Sequence, residues 1–158
     1  MLVNLKMLPC SRLKDVPDRI KKGGTKKDLK RGLRLEPKAI KEYELRNEVT
    51  VTPAPFYSSQ EYGIRGKPDG LVGEEGMIEV KCPRSLPYGR SGIPPQYYAQ
   101  IQGYLLLSGR QWCDYVVYVA GAKSKVKTFF QKKVLANPTY WEDHLKKKPL
   151  PLKQELKF

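Results

Sequence analysis

The sequence predicts an α/β fold, a single domain with a central mixed β-sheet flanked by α-helices. Three observations lead there. The chain has 158 residues, 40% of them hydrophobic, which suits one domain with one core. Two stretches with helical spacing of apolar residues, 35–48 and 96–108, alternate with short β-branched and aromatic runs. Glycine and proline turns punctuate those runs. The resulting order is helix, three or four strands, helix, two strands, helix, which suits helices layered on a mixed sheet.

Residues 1–31 read as a basic arm, 32–134 as the core and 135–158 as a basic tail. Lys and Arg crowd residues 11–34 around Gly23-Gly24, which suits either a nucleic-acid backbone or a solvated segment. Leu35, Ala39, Ile40 and Tyr43 then recur at helical spacing as far as Glu48, with Pro37 near the start, where proline is tolerated. Val49 to Thr52 reads as a short strand and Ser58 to Glu61 as a turn. Another strand begins over Tyr62 to Gly66. Pro68-Asp69-Gly70 makes a turn or bulge, and Gly73 to Gly76 a hairpin loop. Met77 to Val80 is a buried strand running into Lys81, and Pro83 to Pro95 a proline-rich loop. Gln96 to Ser108 forms a helix with Tyr97, Ile101, Tyr104 and Leu105 on one side and Gly109 as its cap. Asp114 to Val119 is a strand, and Val126 to Val134 its antiparallel neighbour. The tail offers one short helix before Lys146-Lys147-Lys148-Pro149.

Lys and Arg number 30 against 16 acids, a formal net charge of +14. Such a charge favours a polyanionic partner, through attraction to phosphates and release of their counterions. No apolar run reaches the length of a membrane span, and Met1 to Leu8 is too short for a secretory signal, so an intracellular protein with no membrane partner is expected. Cys10, Cys82 and Cys113 form no CxxC, and His144 is the only histidine. A Cys/His zinc site is therefore not expected, nor a mechanism needing both a histidine base and a histidine ligand.

The chemistry concentrates in residues 65–81. Strand alternation puts Met77, Glu79 and Lys81 on one face, with Ile78 and Val80 on the other. A carboxylate in a short apolar strand is costly unless something pairs with it. Lys81 supplies a salt bridge in one reading. In the other, Glu79 shares a divalent cation with Asp69, which otherwise is only a turn former. Hard cations such as Mg²⁺ take oxygen ligands, and two carboxylates plus the Val80 carbonyl would suit. The metal would acidify a water and steady charge on a phosphate, with Lys81 beside that water. Such apparatus points to phosphodiester hydrolysis.

Pro68-Asp69 followed by Glu79-Val80-Lys81 resembles the PD-(D/E)XK nuclease signature. The flanks narrow the match. Gly66-Lys67-Pro68-Asp69-Gly70 and Met77-Ile78-Glu79-Val80-Lys81-Cys82-Pro83 resemble the YqaJ-like viral recombinase group, which includes the phage lambda exonuclease. So do the segment from Gly32 through Glu36 to Tyr43, the Tyr97-x-x-Gln100-x-Gln102 helix and the strand from Asp114 to Tyr118. These segments cover roughly residues 32–119, in the family's order.

The resemblance implies a restriction-endonuclease-like core and a metal-dependent deoxyribonuclease, an exonuclease of the recombination type. Its cofactor would be Mg²⁺, with Mn²⁺ as substitute. Glu36 would be the helix-borne acid of the metal site. Asp69 and Glu79 would be the other ligands, Lys81 the catalytic lysine, and Gln100 the helix residue holding Lys81 or the water. Arg65, Lys67, Arg84 and Arg90 lie near this site in sequence as candidate contacts to DNA phosphates. Lys67 replaces a residue that is often small in the group, and the resemblance implies that Cys10-Ser11 would be a remnant of the group's serine motif, which helps recognise a DNA 5′ end. An endonuclease or nickase, a non-catalytic basic module on the same fold, or a structural subunit are the alternatives. The resemblance also implies a single-strand annealing protein as partner, and leaves the oligomeric state open.

Overall fold

The computed structural model describes residues 25–62, 64–84, 92–121 and 128–147. In chain order the elements are α1 (Lys26–Asn47), β1 (Val51–Thr52), β2 (Tyr57–Ser59), β3 (Ile64–Gly66), β4 (Gly70–Val72), β5 (Gly76–Lys81), α2 (Pro95–Ser108), β6 (Trp112–Tyr118), β7 (Phe129–Leu135) and α3 (Tyr140–Lys147). Five strands form one sheet in the order β1-β4-β5-β6-β7, and β2 and β3 make a separate antiparallel ribbon. Among the described strands only β5 and β6 run parallel, with Glu79 opposite Tyr115 and Lys81 opposite Val117. The other pairs in the sheet are antiparallel. A parallel pair needs a crossover, and α2 provides it.

Helix α1 starts well before the expected Leu35. Thr25 caps it, and the Asp28 carboxylate answers with bonds from the Thr25 N–H and hydroxyl, a capping box. The apolar stripe that signals a helix begins only at Leu35, because Leu29 and Leu33 are solvent-exposed. Pro37 accordingly sits mid-helix rather than near the start, on the exposed side. The helix ends at Glu48, which adopts a left-handed conformation with φ 54°.

The sheet separates two apolar clusters. Ala39 and Tyr43 of α1 pack with Val72, Ile78, Val80 and Val116 on one face. Met77, Cys113, Tyr115 and Val117 pack with Ile101, Tyr104 and Leu105 of α2 on the other. Helix α2 is buried all round from Gln100 to Leu105, because β6, the β2–β3 ribbon and α3 all pack against it. A polar anchor accompanies the α1 packing. The Tyr43 hydroxyl donates to the buried Asp114 carboxylate at 2.6 Å, and Gln131, itself paired with Asn47, donates to the same oxygen. At Gly76 a side chain would collide with the Trp112 ring, 2.1 Å from where a Cβ would stand.

Five strands, β1 to β5, precede α2 where three or four were expected, and the other elements follow the sequence with shifted edges. Ser58 and Ser59 belong to β2 rather than to the expected turn, which falls at Gln60 to Tyr62. Strand β7 pairs antiparallel with β6 as expected, while residues 122–127 of that hairpin lie outside the described residues. Residues 26–31, expected in the basic arm, are helical; the rest of the arm before Thr25, and the tail from 148 onward, also lie outside. No helix among the described residues is long and apolar enough to cross a membrane.

Candidate active site

The site forms where β4 stops and β5 runs on. The ladder ends at Gly70 opposite Ile78, with one more bond from the Asp69 N–H to the Ile78 carbonyl. Beyond it, the Asp69 carboxylate accepts the Val80 N–H at 2.8 Å, taking the place of a missing strand neighbour. That bond orients Asp69 toward the end of β5. Pleat alternation sends Glu79 and Lys81 to the α2 face, where Glu79 is fully buried and Lys81 donates to it at 2.6 Å.

Helix α2 supplies the next layer. Gln100 is 1% exposed, and its side-chain oxygen accepts from Lys81 at 3.2 Å. Its amide nitrogen donates to the Tyr104 hydroxyl at 2.7 Å. Tyr97, one turn earlier, places its ring 4.6 Å from the Lys81 ammonium. Lys81 is thus held by a carboxylate, an amide oxygen and a π face. Burial, then the Glu79 charge, pushes the Tyr104 hydroxyl far above its usual range, so it stays protonated.

Glu36 arrives from α1. It shares with Asp69 a cleft of about 860 Å³ whose rim carries Arg65 and Lys67. Burial and then the charges of Glu36 and Asp69 push the Cys82 thiol up to about 11, with Arg31 and Lys81 opposing, which places both carboxylates in the field of one sulfur. Arg84 is exposed and reaches Asp28, which also binds Arg31; Arg31 in turn donates to the Cys82 carbonyl. Val80 is buried in the α1-side cluster. Arg90 lies outside the described residues. Among the described residues, no three His, Cys, Asp or Glu side chains gather as a ready cage for an ion.

The structure therefore brings Asp69, Glu79, Lys81 and Gln100 together at the end of β5, with Glu36 on the adjoining cleft wall. Tyr97, Tyr104 and Arg31 are added neighbours that sequence reasoning did not place there. For the two tyrosines a signal existed: they stand three residues before and four after Gln100, the spacing of one helical face. Nothing local in the sequence points Arg31 at Cys82.

Residues 3–111 match the YqaJ-like viral recombinase domain. The chain belongs to that family. Among solved structures, this YqaJ-like chain is similar to an alkaline exonuclease (LHK-Exo) from Laribacter hongkongensis, with 28% identity, 85% of this chain and 68% of that one covered, and a TM-score of 0.67. The same exonuclease in complex with dAMP aligns at 27% identity over 87% of this chain and 70% of that one, again with a TM-score of 0.67. A phage-related exonuclease from Haemophilus somnus 129PT shares the fold at 15% identity, with 78% and 67% covered and a TM-score of 0.61. No curated protein matches the chain significantly. The YqaJ-like domain thus has the restriction-endonuclease-like core expected of it, a mixed sheet with helices on both faces, and sits among nucleases of the alkaline-exonuclease type.

Proposed function

We propose that the protein is a Mg²⁺-dependent deoxyribonuclease that degrades duplex DNA from its ends by hydrolysis. The observation that carries this is the convergence of Asp69, Glu79, Lys81 and Gln100 at the end of β5, beside the cleft that holds Glu36. The relationship to an exonuclease crystallised with dAMP supports a deoxyribonucleotide substrate.

The donor set fits a hard cation. Glu36, Asp69, Glu79 and the Val80 carbonyl offer only oxygen, which Mg²⁺ prefers. Mg²⁺ also keeps several waters and is usually held by one or two carboxylates plus substrate phosphate, so a closed cage of side chains is not required. When bound, it supplies an acidified water and positive charge for the attacked phosphate. The chain's own residues do the rest. Asp69 and Glu79 hold their geometry through the Val80 N–H and the Lys81 ammonium. Lys81, with its side chain only 16% exposed, presents a fixed positive charge to charge developing on phosphate. Gln100 keeps that ammonium from collapsing wholly onto Glu79. Arg65 and Lys67 on the cleft rim, and Arg84 farther along, draw the DNA backbone across the site.

A Glu79–Lys81 ion pair alone is also what a structural role predicts. Gln100 on the same ammonium, and Glu36 with Asp69 in one cleft, go beyond it. The test uses 5′-phosphorylated linear duplex with Mg²⁺, beside Glu79→Ala and Lys81→Ala. The wild type should release nucleotides only with Mg²⁺, and both variants should lose about 10²–10³-fold in rate. Absence of Mg²⁺-dependent cleavage, or full activity in both variants, sinks the reading. A closed circular duplex separates the two modes: resistance supports an exonuclease, nicking an endonuclease.

A further inference from the structure

We infer that the outer face of α1 is a second DNA-binding surface, a track for the phosphate backbone of duplex DNA beyond the cleft. This deepens the nuclease reading and rests on it for the identity of the partner.

Lys26, Lys27, Lys30, Arg34, Lys38 and Lys41 are all exposed. At about 100° per residue they fall within an arc of roughly 120°. That arc lies opposite Leu35, Ala39 and Tyr43, which face the sheet. From Lys26 to Lys41 the ridge runs roughly 22 Å along the helix. Duplex DNA carries one charge per about 1.7 Å of its axis, so the ridge matches a polyanion of at least its own length.

Charge density alone does not distinguish such a ridge from a solvated face. The placement of the helix's acids does. Asp28 is turned to Thr25, Arg31 and Arg84. Glu36 lines the cleft. Glu42 is bound by Arg46 at 2.6 Å, and Glu44 accepts the Val51 N–H at 2.7 Å. Every acid of α1 thus has an engagement away from the ridge, and none of the six cations makes an ion pair with another described residue. Glu42 stands at i,i+4 from Lys38 and Glu44 at i,i+3 from Lys41, spacings at which a helix can pair opposite charges. Both acids turn instead to Arg46 and to the Val51 N–H, which leaves the six cations without an acidic partner among the described residues. The ridge is also continuous with the cleft, because Leu33, next to Arg34, lines the cleft with Glu36. Duplex held on the ridge therefore leads to the carboxylates.

The experiment measures binding of a 30-base-pair duplex by fluorescence anisotropy in EDTA, so that cleavage cannot intervene, across a series of salt concentrations. Each phosphate contact contributes about 0.9 to the slope of log K against log salt. Replacing Lys26, Lys30, Lys38 and Lys41 together with alanine should flatten the slope by about 3.6. Alanine is the strongest helix former, so α1 should persist. The pair Lys30→Gln and Lys38→Gln, which keeps side-chain length, should flatten it by nearly two. Lys132→Ala, on the exposed edge of β7, is the control and should leave the slope unchanged. A quadruple variant with the wild-type slope overturns the inference. So does a per-lysine loss at Lys132 equal to that on α1, or a wild type that binds no duplex. An intact slope with intact cleavage removes the ridge and leaves the nuclease reading standing. A flattened slope in a protein that never cleaves removes the nuclease reading and leaves the ridge.

Discussion

Lys81 shows how one side chain is fixed by three chemically different neighbours: the Glu79 carboxylate, the Gln100 oxygen and the Tyr97 ring. Glu79 supplies attraction but also pulls the ammonium toward the sheet. Gln100 supplies direction. A hydrogen bond to a charged group is worth about 1.5–3 kcal/mol. Gln100→Leu should therefore lower kcat by roughly 10- to 100-fold with KM little changed, measured under steady-state conditions on linear duplex. An unchanged kcat would mean that Gln100 is merely packing. These residues differ in how readable they were. Asp69, Glu79 and Lys81 lie within thirteen consecutive positions, and strand alternation alone aligns two of them. Gln100 and Glu36 became visible only through resemblance, because a lone polar residue on a helix carries no local mark. Tyr97, Tyr104 and Arg31 stayed hidden among core and surface residues, since tertiary distances choose their partners.

At the scale of elements, α1 matters most because it carries Glu36. It begins nine residues before the expected Leu35, for a physical reason. Sequence periodicity reports the face that packs, while Thr25 and Asp28 hold the first turns without any packing. Thr25→Ala should cost about 1 kcal/mol of stability in a urea titration. The Asp28 half of the box carries a pH sign. Bonds from Thr25, and then the Arg84 charge, lower its carboxyl below 3.8. A depressed folded-state value means that its contribution is present above the ordinary carboxyl range and is lost as pH falls through the folded one. The stability difference between wild type and Asp28→Asn should accordingly narrow below about pH 4, and a constant difference from pH 7 to 3 would refute the link. Farther along, Tyr43→Phe would leave the buried Asp114 carboxylate one donor short, at a cost of about 1–3 kcal/mol by denaturation. The parallel β5–β6 pair, by contrast, was foreseen only as part of a mixed sheet. Its register depends on close packing such as the Trp112 ring over Gly76, which no periodicity encodes.

Across the whole molecule, two electrostatic regimes coexist. The chain as a whole carries +14, and the ridge of α1 and the cleft rim present that charge to solvent. The end of β5 and its cleft gather acids instead: Glu36 and Asp69 act together on Cys82, and Asp69 and Glu79 together on Tyr104. This contrast gives a test of metal binding that does not depend on catalysis. A strongly cationic protein has no general affinity for divalent cations, since its mean field repels them. Any stabilisation by Mg²⁺ must then come from the local acids. At a concentration 100 times its Kd, a ligand bound only by the folded state contributes about 2.7 kcal/mol. For a domain of this size each kcal/mol raises Tm by about 2–4 °C, so saturating Mg²⁺ or Mn²⁺ should raise it by roughly 5–10 °C. Asp69→Asn and Glu79→Gln should each remove most of that rise while matching the size of the original side chains. Potassium chloride at equal ionic strength controls for screening of the basic surface, which by itself also relieves self-repulsion. A divalent shift no larger than the potassium shift, or one that survives both substitutions, would show that the acids at the end of β5 are not the metal site.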